Sequence, residues 1–531
     1  MTTRSSVKEK ARRSRRHAVP ARDRTPVPRR GSLDLRLLTP FLVVGASLAG
    51  AMLFLSREHS IAGTWGYSLD DSWIHAVFAR NIATGNGFSF NPGEPVAGST
   101  GPLYSLILAG IYWITREVIW SAKIFGILCH AASAVFLARA AGRLIPGERW
   151  APLLAGLLLA LSPSLTWASL SGMEISLYVL FVCAGLDFYL AGRQVVAAAL
   201  WAAGVWVRPD GLFLVALSLL GPRSLLPRKV LWITPILALY SGFNAWVGES
   251  ALPQTVATKT QFGVHVDWIV NVFREWGAVW GLPYRRWDQL DHPGLLVPLL
   301  ILGAVVSARR YPLVALYLIG FPLAFALFRH SSASHKRYII YVVPFGILLA
   351  AWGAAAIPRH VPSIPRRAVA VLAIVCLVWQ AAYLNRKATE HGWNVQNING
   401  MQVTLGKIAK ELTHSGATVG ASDIGAIGYF SGRRIVDLMG LVTRKNTLPQ
   451  NLSIHKPDII IVDMEWFKEY AVRDSASQYF AFYDAESTHK YTALGGVELD
   501  HNTITSTDLM IVLQRQRVGE PPVLSKFRIQ S

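Results

Sequence analysis

Gly66-Tyr67-Ser68-Leu69-Asp70-Asp71-Ser72-Trp73-Ile74-His75 is the stretch on which the reading of this chain turns. Two adjacent carboxylates follow the first long apolar run, residues 36–56, after a short interval. Beyond them Trp73, Ile74, Val77 and Phe78 recur at helical spacing, and Gly85-Asn86-Gly87 closes the segment. The pattern predicts a short amphipathic helix from Asp71 to Thr84. Asp71 and His75 are four apart and share one face of it. Asp70 has two readings. It caps this helix by accepting from the free amides of the first turn, or it is a functional carboxylate kept ionised by the helix dipole.

Outward from that stretch the chain is apolar. Of 531 residues, 52% are hydrophobic and only 16% charged, with a mean hydropathy of +0.34. Repeated runs near bilayer length make this a polytopic membrane protein. The net charge of +20 is unevenly spread. Arginines and lysines crowd the first thirty residues, opposed there only by Glu9 and Asp23. Such an arm suits a disordered cytoplasmic segment that sets orientation and meets anionic headgroups; a nucleic-acid partner is the weaker reading. The apolar run after it lacks a small-residue cleavage site and reads as an anchor. Cys129, Cys183 and Cys376 all fall in apolar runs and read as helix packing rather than disulfides or metal ligands.

Apolar runs lie near 36–56, 100–115, 119–138, 151–167, 173–190, 195–220, 230–247, 294–308, 312–328, 338–357 and 368–384. Read as single spans they predict about eleven transmembrane helices. That count puts the basic loop Arg139, Arg143 and Arg149 on the outside, against the charge rule. The loop moves inside if one early run is re-entrant and 195–220, interrupted by Arg208-Pro209-Asp210, is two spans. Either count leaves three parts. They are a basic cytoplasmic arm (1–35), a membrane domain (36–384) with outer loops 57–99 and 248–293, and an extracytoplasmic tail (385–531). In the tail, β-like runs at Ala417–Ala421, Asp458–Val462 and Leu509–Leu513 alternate with helical stretches such as Gln402–Leu412. That alternation predicts a small α/β domain. The expected location is the plasma membrane, with the site and the tail outside.

Polar islands mark the outer ends of the runs. Intramembrane or near-membrane ionisable groups are costly and are functional candidates by default. Arg329 to Tyr338 gathers His335, Lys336 and Arg337 where loop cations are disfavoured. Arg208 and Asp210 interrupt a helix, Glu174 opens one, and Gln254 precedes Lys259 in the long loop. Each has an ordinary explanation as headgroup contact, internal ion pair, cap electrostatics or loop solvation; their shared side is the argument.

The segments Asp70 to Asn81, Gly85 to Phe88, Asn91 to Pro95 and Gly98 to Leu103 resemble the first outer loop of GT-C glycosyltransferases, which use polyprenyl-phosphate sugars. The mycobacterial terminal arabinofuranosyltransferases are among those it resembles. The likeness extends to Ser171–Glu174, Arg208–Gly211, Leu252–Thr255, His335–Tyr338, Asp423–Tyr429 and Val436–Leu441. The resemblance implies transfer of a sugar, arabinofuranose among the candidates, from a lipid phosphate to an extracytoplasmic glycan, lipid or protein acceptor, with inversion. It implies a first-loop base, with Asp70 first and Asp71 or Glu174 orienting sugar or acceptor. Arg208, Lys259, His335, Lys336 and Arg337 would hold the departing phosphate. His75, Asp210, Gln254 and Tyr338 complete the expected substrate contacts. A divalent cation between carboxylates is compatible with this chemistry but not required by it. A flippase of lipid-linked sugar, or an envelope protein that binds glycan, stand as the alternatives; no internal repeat of transporter type is visible.

Overall fold

The computed structural model describes residues 35–248, 250–254, 263–282, 292–329, 336–444, 446–473, 480–518 and 527–530. The basic arm, Lys259 and His335 lie outside the described residues. The chain opens with α1 (Leu35–Ala62), α2 (Asp70–Ala83), α3 (Pro102–Thr115), α4 (Ile119–Leu144) and α5 (Ala151–Ala160). There follow α6 (Pro163–Leu170), α7 (Ile175–Leu190), α8 (Gln194–Val205), α9 (Leu212–Leu219) and α10 (Leu226–Gly248). The second half holds α11 (Val266–Val279), α12 (Leu296–Ser307), α13 (Pro312–Ala326), α14 (Val343–His360) and α15 (Arg366–Ile398).

Among the described residues, five helices are long and apolar enough to cross a membrane, or six if α5 and α6 form one span bent by 53°. The bend falls at Ser162-Pro163, where proline removes an amide and clashes with the preceding turn. Six shorter apolar helices of 10–17 residues accompany them. The predicted amphipathic helix is α2, one residue earlier than expected at each end. The interruption at Arg208-Pro209-Asp210 is a break between α8 and α9, spanned by a single 3-10 turn at Pro209–Gly211. The three cysteines are free and buried.

The early run near 100–115 is α3, one of the shorter apolar helices. Its first turn is tied to the 171–174 turn, where the Tyr104 hydroxyl donates to the Gly172 carbonyl at 2.8 Å. Past its far end, Val118 meets the same place through Tyr67, whose hydroxyl donates to the Val118 carbonyl at 2.7 Å and whose ring packs on Gly172. Gly172 has φ +81°, and a Cβ there would stand 2.5 Å from that ring. So α2 and α3 lie together at one end of the helical layer. The loop after α4 falls at the opposite end. There Arg139 and Arg143 reach Asp187 at 3.1 and 2.6 Å, and Glu148 faces Arg359 and Arg366.

The last membrane helix does not end near residue 384. α15 continues to Ile398 and passes through a π-helical turn, Asn399–Val403, into α16 (Thr404–Leu412). The tail then builds a mixed sheet from β1 (Thr418–Ala421), β2 (Arg434–Asp437), β3 (Ile459–Asp463), β4 (Val472–Arg473), β5 (Phe480–Tyr483), β6 (His489–Glu498), β7 (Leu509–Arg517) and β8 (Phe527–Gln530), in the order β2-β1-β3-β7-β6-β5-β4, with β8 on β6. Strands β1, β2 and β3 are parallel, and β7 runs antiparallel to β3. The three β-like runs of the sequence are thus β1, β3 and β7, all central and apolar. Between β1 and β2 sits a short helix, α17 (Gly425–Ser431), which packs along α2.

Candidate active site

Trp73 fixes where α2 sits. Its ring lies 4.7–5.0 Å from those of Tyr67, Tyr429 and Phe430, so the first loop and the tail share one aromatic core. This places the amino end of α2 over the turns that precede α7 and α9.

The two adjacent carboxylates diverge there. Asp70 faces the tail: its oxygens accept from the amides of Gly425 and Ala426, both at 2.8 Å. It therefore caps α17 rather than its own helix, whose preceding residue Leu69 makes no side-chain cap. The approach is close enough that a Cβ at Gly425 would stand 2.1 Å from the Asp70 carbonyl. Burial, and then the charge of Asp423, push the Asp70 carboxyl well above its ordinary value. Burial, with Asp71, Asp463 and Asp437 nearby, raises Asp423 to about 6, against the opposing hydrogen bond from Gln402 at 3.0 Å.

Asp71 faces the other way, into a small cavity of about 20 Å3 lined also by His75, Ser99, Thr100, Glu174, Arg208 and Arg337. Arg337 reaches Asp71 at 2.7 Å. The Arg337 Nε is buried without a hydrogen-bond partner among the described residues. Glu174 is fully buried. It is bonded to Arg208 Nη1 and lies 3.1 Å from His75 Nε2, while Ser105 and Ser99 approach His75 Nδ1 at 3.1 and 3.3 Å. Arg208 bonds the Asp210 carboxylate through two nitrogens, at 3.0 and 2.7 Å. The rings of Tyr338 and Tyr341 stand 5.0 and 5.1 Å from its guanidinium. Two arginines are thus held, nearly immobile, against one wall of a pocket whose other wall carries Asp71 and Glu174.

Of the residues expected from the sequence, Asp71, His75, Glu174, Arg208, Arg337 and Tyr338 line this one cavity. Asp70 does not line it; it holds the tail. Gln254 donates to the Gly440 and Thr443 carbonyls at 3.2 and 2.9 Å, joining the long loop to the tail. Lys336 and Asp210 stand behind the lining. Among the described residues no group of three or more His, Cys, Asp or Glu is arranged to hold a metal ion. Each carboxylate of the cavity is engaged by arginine. Ser99 and Thr100 line the cavity without having been singled out; the signal for them was Gly98-Ser99-Thr100 within the quoted motif. Leu441 enters from the tail, presented by a loop whose amides at Met439, Leu441 and Val442 all bond Asp437.

Residues 394–509 match a family model described as a domain of unknown function, DUF8728. No curated protein matches the chain. Among solved structures, the oligosaccharyltransferase of Archaeoglobus fulgidus in complex with Zn and sulfate superposes with a TM-score of 0.56 at 11% identity. That match covers 81% of this chain and 69% of that one. ArnT from Cupriavidus metallidurans, bound to undecaprenyl phosphate, gives 0.53 at 12% identity over 90% of this chain and 99% of that one. The arabinofuranosyltransferase AftD from mycobacteria reaches only 0.42, and nothing about the sugar is drawn from it. At these identities the likeness is one of fold.

Proposed function

We propose that this chain, which has the GT-C fold, is a membrane glycosyltransferase that moves a sugar from a polyprenyl-phosphate donor to an acceptor hydroxyl outside the cytoplasm. The observation that carries the reading is the cavity whose lining brings Asp71 together with Arg208 and with Arg337, to which it is paired, while Asp70 faces the tail. Asp71, rather than Asp70, takes the acceptor's proton. The acceptor oxygen forms the new bond to the anomeric carbon while the carbon–phosphate oxygen bond breaks, with inversion. Its electron pair leaves on the lipid phosphate, whose charge falls beside Arg337 and Arg208. Arg337 holds Asp71; a phosphate at Arg337 would replace that carboxylate and release it as base. Glu174 and Asp210 keep Arg208 charged and aimed, and His75 is oriented by Glu174 and the two serines.

The direction of each helix supports a path of eleven passes. In it α3 is re-entrant, α5 with α6 forms one pass, and α8 and α9 form two short ones. A basic loop after α4 at the end opposite the cavity supports a cytoplasmic side there. The tail and the long loop then form the outer roof of the cavity. A flippase would not need the base on α2 or the tail's seat upon it.

The test is purified chain incubated with a panel of polyprenyl-phosphate sugars, arabinofuranose included, and an acceptor mixture. Release of free polyprenyl phosphate coupled to acceptor glycosylation is the expected result. Lipid-linked sugar that crosses a vesicle bilayer unconsumed would overturn it in favour of a flippase.

A further inference from the structure

We infer that the end of the helical layer opposite the catalytic cavity binds an anionic lipid. Its phosphate rests on Arg149, Arg366 and Arg367, and its chain lies in the groove between α5 and α15. The groove has a volume of about 610 Å3 and is walled by apolar side chains such as Leu153, Leu157, Ala355, Ala370, Ile374 and Leu377. It continues inward as a narrower crevice past Leu158 and Ala350 to Cys376. α14 leads from the cavity end, where Tyr341 precedes it, down to Pro358 on the groove wall. At the helical rise that separates the two sites by about 22 Å.

Water is a poor occupant of so apolar a space, because it would find few hydrogen-bond partners there. A hydrocarbon chain fills it at no such cost. The rim says which lipid. Glu148 is the one carboxylate on it, and it already faces Arg359 at 3.6 Å and Arg366 at 3.8 Å. Arg149 and Arg367 are exposed and make no ion pair among the described residues. An anionic headgroup supplies the missing charge, whereas a zwitterionic one brings its own cation to the same arginines. Trp150 stands at the same rim, the depth at which such rings meet headgroups. A free phosphate would meet the rim alone, and a partner helix would fill the groove without using the arginines. The site is independent of the transfer reaction, since none of its residues touches the cavity.

The experiment reads lipid rather than activity. The full chain is reconstituted in equal phosphatidylglycerol and phosphatidylcholine, extracted, and weighed intact by native mass spectrometry. Retention of phosphatidylglycerol over phosphatidylcholine is expected. Arg149→Gln, Arg366→Gln and Arg367→Gln should each cut the preference, roughly fivefold per arginine removed. Ala373→Leu, which fills the groove without altering charge, should lower retention of both lipids in a protein that stays monodisperse. Excess inorganic phosphate should not displace the lipid. Equal retention of the two lipids, preference unchanged in the arginine variants, or competition by phosphate alone would each overturn the proposal. So would a photo-crosslinker at Leu157 that captures a polypeptide in place of lipid.

Discussion

Neighbouring residues of like chemistry do different work here because a helix turns about 100° per residue. Asp70 and Asp71 are indistinguishable by type, yet one faces the tail and the other the cavity. Asp71→Asn should therefore lower transfer by about two to four orders of magnitude with donor binding kept. Asp70→Asn should instead loosen the seat of α17, lowering the unfolding midpoint by the loss of about 1–3 kcal/mol of charge-assisted hydrogen bonding, with measurable turnover remaining. Turnover assays and thermal unfolding of both variants, side by side, decide the assignment. Asp423 makes a second prediction. Its carboxyl is raised to about 6 in the folded protein from an ordinary value near 4, chiefly by burial. The folded state thus binds more protons than the unfolded one between those values, so its contribution is full in acid and is lost as pH climbs through about 6. Between pH 4 and 7 the wild type should lose on the order of 2 kcal/mol relative to Asp423→Asn. Parallel unfolding curves for the two proteins across that range would remove Asp423 from the account.

At the scale of elements, the cavity depends on helices that approach one another without side chains between them. α12 and α14 cross at Gly303 and Gly353. A Cβ on Gly303 would stand 1.8 Å from the Leu349 carbonyl, and one on Gly353 1.9 Å from that of Leu299. Gly353→Val must push the two helices apart, which over-packs a filled interface by about 1–3 kcal/mol. α14 begins beside Tyr341, on which Arg208 rests. The variant should therefore weaken apparent donor affinity as well as lower the unfolding midpoint in detergent. A fall in stability with donor kinetics unchanged would uncouple the crossing from the cavity. The break between α8 and α9 serves the same cavity: the 3-10 turn at Pro209 lets Arg208 leave the helix ladder and reach Glu174.

For the whole molecule, the first loop, the long loop and the tail are one assembly over the ends of the helices. Arg80 donates to the Tyr429 carbonyl at 2.8 Å, Asn91 exchanges bonds with Ile435, and Gln254 reaches Gly440. The topology that follows is measurable, because the native cysteines are buried. Cysteines placed at Gln450 and Gly85 should react with an impermeant maleimide in intact cells, and one at Pro146 should react only after permeabilisation. Labelling at Pro146 from outside would reverse the orientation.

Amino-acid order alone determined the membrane class, the amphipathic helix read at Asp71–Thr84, the broken run at Arg208 and the α/β character of the tail. These follow from local periodicity, from apolar length against bilayer thickness, and from proline's missing amide. It also named half of the cavity's lining, the ionisable residues and Tyr338, because ionisable groups beside apolar runs are rare enough to stand out. Three matters waited for the tertiary structure. Apolar length cannot separate a crossing helix from a re-entrant one, and only the fold tied the start of α3 to the 171–174 turn and Val118, past its end, to Tyr67. Strand β6 interrupts its apolar residues with polar ones and glycines, and β4 and β5 are only two and four residues long, so no long apolar run marked them. The direction of Asp70 was fixed by amides some 355 residues away in the chain, a contact that no local pattern encodes.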